Sequence, residues 1–149
     1  MDELRDFYEQ YIAAFNARDT AAFAGFFHLP VTILPAPSDD DRQAGRPPVV
    51  MTEMAQLWPT LPAKWTRSTI DELRVVADAT AFRARDGFTE RWERRPALQA
   101  TVTRWAGDEP YEQVHVLYLL TREDGRLGIK TMVPLAVAGG PPTGQPDGA

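Results

Sequence analysis

Two histidines hold most of the proton-transfer chemistry this chain could do near neutral pH. His115 stands in an alternating apolar stretch, Tyr111 to Thr121, and is the first catalytic candidate. If its face turns inward, it is a general base; if outward, it belongs to a subunit interface. His28 precedes Leu29-Pro30 at the expected end of a helix, where an imidazole can donate to terminal carbonyls. Asp71, Asp78 and Asp86 are the aspartates in reach of the strands, and spacing pairs none of them with His115. The histidines make no i, i+4 pair and cysteine is absent, so no metal site, disulfide or thiol nucleophile is expected. Arg83 and Arg85 share one face of a predicted strand, and Glu72 and Arg74 another. In a pocket such pairs would hold a carboxylate; on a rim they are solvated charges, as are Arg91, Arg94 and Arg95 among their glutamates. Asp39, Asp40 and Asp41 lack the alternating ligand spacing of a calcium loop. No phosphate-binding glycine loop or nucleophile elbow is present, and no cofactor is expected.

The elements that must position these groups begin with a helix. Leu4, Phe7, Tyr8, Tyr11, Ile12 and Phe15 recur along one face of a 3.6-residue period. The turn Asn16-Ala17-Arg18-Asp19 follows, with Asp19 suited to cap a second helix that carries Phe23, Phe26 and Phe27. That helix must end before Pro30, and Val31 to Leu34 reads as a strand. Pro35 to Pro48 is a loop. Val50 to Trp58 has the spacing of a third helix, stopped by Pro59 and Pro62. Trp58 and Trp65 flank that exit as packing residues or as a stacking surface.

From Thr66 the period falls to two, imperfectly. Strands are expected at Ser68 to Val76, Ala81 to Arg85 and Ala100 to Trp105, with a turn at Asp86-Gly87. Glu90 to Arg95 reads as a short helix or a polar loop. The clearest signal is the last hairpin, Tyr111 to Thr121 and Leu127 to Val137 around Gly125. Val114, Val116, Tyr118 and Leu120 share one face, and Gln113, His115, Leu117 and Leu119 the other. Both faces are largely apolar, which predicts a central strand covered on each side. Helices then strands means an α+β fold: three N-terminal helices packed in a strongly bent antiparallel sheet, a cone with an apolar interior.

With 149 residues the chain makes one domain over 1–138, followed by a Gly/Pro-rich tail, 139–149, expected to be disordered. A net charge of −5 argues against nucleic acid. No apolar run approaches the roughly 20 residues of a membrane span, and the acidic start lacks a secretory pattern. A cytoplasmic protein is the expectation.

The segments Tyr11 to Asp19, Phe23 to Pro30 and Leu117 to Arg126 resemble the nuclear transport factor 2-like superfamily, and within it the SnoaL-like group. The resemblance implies a cystatin-like cone holding a small, mostly apolar molecule. It also implies cofactor-independent acid–base chemistry of isomerase, cyclase or dehydratase type, or else a noncatalytic dimer with a filled cone. It places Tyr11 where ketosteroid isomerases keep their oxyanion-hole tyrosine, although Tyr11 also lies on the helix face expected to be core. It places Pro35 at the general base and Val114 near the second acid, and neither can do that chemistry. The implied pocket is lined by Tyr11, Phe15, Phe27, Trp58, Trp65 and Tyr118. The implied assembly is a homodimer through the sheet.

Overall fold

The computed structural model describes residues 2–37, 46–78, 80–93 and 95–139. Asp39 to Asp41, Arg94 and the tail from 140 onward lie outside the described residues, as does the side chain of Arg83. The chain is α+β, with helices first and strands after. Among the described residues no helix is long and apolar enough to cross a membrane.

Helix α1 spans Asp2–Ala17. Its apolar stripe is the buried one: Leu4, Tyr8, Tyr11, Ile12 and Phe15 are all shielded. It ends in a left-handed turn at Arg18 (φ 53°), where the Asp19 amide reaches back to the Ala14 carbonyl (3.2 Å). Asp19 then caps α2, Thr20–Ala24, its carboxylate accepting from the Ala22 amide (3.1 Å).

Strand β1, Phe27–Ile33, starts earlier than the sequence reading placed it. His28 is therefore a strand residue and caps no helix. The helix stops at Gly25, and the Phe26 carbonyl already accepts from the Ile129 amide (2.8 Å). The predicted third helix is not formed either. Val49–Met51 is a short strand, β2, paired with β1, and Met54–Gln56 and Trp58–Thr60 are single 3-10 turns. Two β-branched valines open this segment and Pro59 denies a helix its amide, so the chain settles for local turns. The Glu53–Gln56 capping box closes the first of them.

Strands β3 (Arg67–Ala77), β4 (Thr80–Arg85), β5 (Phe88–Glu93), β6 (Ala97–Ala106), β7 (Glu109–Glu123) and β8 (Arg126–Gly139) follow. Glu90 to Glu93, expected as a helix or loop, is part of β5, paired with β4 around the Asp86-Gly87 turn. The main sheet runs β2-β1-β8-β7-β6-β3, so β7 is interior to it, as its two apolar faces predicted. The sheet is mixed rather than wholly antiparallel, because β1 lies parallel to β8. The β7–β8 loop has positive φ at Asp124 and Gly125 (54° and 75°), the pattern of a two-residue hairpin turn.

The imperfect period of β3 has a physical cause. Its pairing to β6 slips between Ile70 and Glu72, so Asp71 is a bulge residue. Ser68 and Ile70 face the helices before the bulge, Leu73 and Val75 after it, and the bulge bends the strand. Beyond its pairing with β6, β3 is tied to α1 by the Asn16 amide. Asn16 Nδ2 donates to the Ser68 carbonyl and Oδ1 accepts from the Ser68 amide, both at 2.8 Å. A side chain here completes the backbone pairing that a neighbouring strand would supply.

Candidate functional site

The inward faces of β6 and β7 run side by side. Leu98, Ala100, Val102 and Arg104 stand opposite Tyr118, Val116, Val114 and Glu112. Between this wall and α1 lies a cavity of about 250 Å³. Tyr11, Phe15 and Tyr118 form its aromatic side. Ile33 and Leu57 line it from β1 and the 3-10 segment, and Met132, Pro134 and Val137 from β8. Its polar groups are few: the Tyr11 and Tyr118 phenols, Ser68, and the pair Arg104–Glu112, whose Nη1 and Oε1 are 2.9 Å apart.

The phenols form a cluster. Tyr8 and Tyr118 share a hydrogen bond of 3.0 Å between hydroxyls, and the Tyr118 ring lies 5.7 Å from that of Tyr11. Burial drives the ionisation of Tyr8, Tyr11 and Tyr118 upward and outweighs every other influence; charge repulsion within the cluster adds to it, while one hydrogen bond each to Tyr8 and Tyr118 and the Arg104 charge pull down by less. The three therefore remain neutral across the ordinary pH range, one hydroxyl of the Tyr8–Tyr118 pair donating to the other. Ser68 is fixed by the Trp65 indole, which donates to its hydroxyl (3.0 Å).

Three expected pocket residues do line this cavity: Tyr11, Phe15 and Tyr118. Phe27, Trp58 and Trp65 do not. Phe27 and Trp65 are buried in the core, and Trp58 stacks beside Phe15 with its indole donating to the Thr20 hydroxyl (2.8 Å). The catalytic candidate His115 is also absent from the cavity. It pairs with Thr101 and Ala136 on the outer face, because alternation that turns Val114 and Val116 inward must turn His115 out. Asp71, on the same outer face, accepts from Thr103 Oγ1 (2.5 Å) and Gln113 Nε2 (3.1 Å). Arg74 donates to Gln99 on the sheet rather than to any pocket group.

His28 is buried in a separate place. Its ring lies against Gly128, where a Cβ would come within 2.4 Å of Cδ2. Arg126 Nη2 is 3.0 Å from Nδ1 and must be the donor, so Nε2–H donates to the Arg126 carbonyl (2.8 Å). The same guanidinium donates to the carbonyls of Gly25 (2.6 Å) and Phe27 (3.3 Å). This histidine locks β1 to β8 and is structural. Among the described residues no group of three metal-ligating side chains occurs.

Arg104 and Glu112 are the residues that sequence reasoning missed. The signal was present: extending the Ala100–Val102 and Val114–Val116–Tyr118 alternation by one step puts both charges on the apolar face.

No family model matches the sequence, and no curated protein matches it. Solved structures do. ActVI-ORFA from Streptomyces coelicolor is 20% identical, with a TM-score of 0.53 over 90% of this chain and 94% of that one. A protein of unknown function with a cystatin-like fold from Nostoc punctiforme is 8% identical, with a TM-score of 0.55 over 95% and 92%. A protein from Catenulispora acidiphila, solved in complex with S-DNPA, is 16% identical, with a TM-score of 0.53 over 89% and 91%. At such identities the likeness is one of fold alone, and the chain has a cystatin-like fold.

Proposed function

We propose that this chain binds a small, mostly apolar molecule between α1 and the inward face of β6 and β7, as a SnoaL-like protein. The observation that carries this reading is the cavity itself, enclosed by apolar walls with a few convergent polar groups, the usual make-up of a ligand site. A cavity of about 250 Å³ supports this reading over the rival expectation of a filled interior. A protein of the same fold has been solved with a small molecule, S-DNPA.

Glu112 favours a second reading, cofactor-independent acid–base chemistry. It is the one carboxylate among the described lining residues, and neutral phenols line the same space. In this reading the Glu112 carboxylate takes a proton from a carbon beside a carbonyl. The electron pair moves onto the carbonyl oxygen, which the Tyr11 phenol holds by hydrogen bonding. Arg104 keeps the carboxylate in place. The homodimer through the outer face of the sheet belongs to the same reading, since Leu117, Leu119 and Val133 stand half-buried there beside His115 and Leu135 is exposed.

Native mass spectrometry of protein isolated from its own cells tests the binding claim. A small-molecule adduct is expected on the natural chain and not on Met132→Trp, whose indole would fill the cavity. An adduct retained by the folded variant would place the ligand elsewhere. Glu112→Gln tests the chemistry: ligand binding should persist while turnover is lost.

A further inference from the structure

A second recess adjoins the cavity. It has a volume of about 550 Å³ and shares Ile33, Ala36, Pro37 and Leu57 with the inner space. Ile33 and Leu57 are half-buried and Ala36 and Pro37 exposed, so the two spaces meet at these four side chains. We infer that the ligand is elongated, with a compact head in the inner cavity and a hydrocarbon tail in this outer groove. The inference rests on the proposed binding function and adds the shape and chemistry of what is bound.

Size supports it first. An apolar cavity of roughly 150 Å³ takes one benzene, or about 25 Å³ per heavy atom. The inner space then holds about ten heavy atoms, below the range of ordinary ligand sites, which begin at about 300 Å³. The groove supplies room for about twenty more by the same measure. Chemistry supports it second. The groove wall is built from Pro35, Pro47 and Pro48 together with Val49 and Met51. Proline has no amide hydrogen, so this stretch of wall suits a methylene chain, and the polar side chains of the groove are confined to Arg46 and Thr60 among its described lining residues. The inner end holds the Arg104–Glu112 pair and the phenols, a carboxylate and neutral hydroxyls that could orient a head.

A series of 4-n-alkylphenols titrated by calorimetry tests this. The ring and a propyl chain together fill the inner space, so longer chains must enter the groove. The dissociation constant should keep falling by about fourfold per methylene from propyl to nonyl. Val49→Glu, which puts a charge in the groove alone, should collapse the nonyl-to-ethyl affinity ratio. Met132→Trp should weaken every member of the series. Affinity that levels off beyond propyl would overturn the elongated ligand and leave the inner cavity as the binding site. A gain with chain length that Val49→Glu leaves intact would overturn it too, by showing nonspecific partitioning. If no alkylphenol binds, the proposed binding function falls as well.

Discussion

Alkaline pH should unfold this protein steeply, because three phenols are buried where they cannot ionise. Tyrosine in an unfolded chain titrates near pH ~10. In the folded protein burial raises Tyr8, Tyr11 and Tyr118 well above that. Past about pH 10 the unfolded state therefore holds fewer protons than the native one, and stability falls as pH rises. The contribution is intact below about pH 10 and is lost progressively towards the folded-state values. At about pH 11 ionisation favours the unfolded chain by about 1.4 kcal/mol per tyrosine, or about 4 kcal/mol for the three. Against a domain stability of about 5–15 kcal/mol that is a large fraction. Tyr111, half-buried at the start of β7, is also raised by burial and adds in the same direction.

Urea unfolding followed by tryptophan fluorescence would measure this, since Trp58 and Trp65 pack on the aromatic cluster. Between about pH 10 and about pH 11 the three phenols should remove about 3 kcal/mol. In Tyr8→Phe the same interval should remove about 2 kcal/mol, one phenol fewer. A direct absorbance titration supplies the refutation. If Tyr8, Tyr11 and Tyr118 become tyrosinate near pH ~10 in protein that is still folded, water reaches the cluster. The cavity would then lack the dry wall on which its proposed chemistry depends.

Other perturbations follow from single contacts. Arg104→Met leaves the partly buried Glu112 carboxylate without its ion-pair partner and should cost about 1 kcal/mol in urea unfolding, with Arg104→Met/Glu112→Leu recovering most of it. Asn16→Ala leaves the buried Ser68 amide and carbonyl without their partners and should cost about 2–4 kcal/mol by the same assay. Gly128→Ala drives a methyl into the His28 ring, which its hydrogen bonds hold in place; a loss of about 1–3 kcal/mol is expected, relieved when His28→Ala is added.

Much of the architecture was written plainly in the chain. The α1 stripe, the Asp19 cap, the Asp86-Gly87 turn and the last hairpin each follow from local rules that packing did not overrule. The failures came where several weak signals compete. At Val50 to Trp58 apolar spacing favoured a helix, yet β-branched valines and Pro59 divided the segment into a strand and two turns. At Glu90 to Glu93 charge density looked like a helix or a loop, while the backbone simply pairs with β4. His28 was misplaced because the segment ends its helix at Gly25, five residues before the proline that had to end it.

The site was harder to read than the fold, and for a reason that applies to any strand. Alternation divides residues between two faces without saying which face is inside. His115 and Glu112 lie on opposite faces of β7, three residues apart, and the sequence presents both as titratable groups beside apolar neighbours. What decides between them is the burial of Val114, Val116 and Tyr118 against α1, a tertiary fact. Once that face is inner, Glu112 must share it and His115 cannot. Arg104 must then face Glu112 across the β6–β7 ladder, because their strands pair them directly. A charged pair at one end of an apolar stripe is costly to bury unless each partner satisfies the other. In a cavity wall the same pair is also the polar feature to which a mostly apolar ligand can be oriented. Its position therefore binds the stability of this interior to its proposed use.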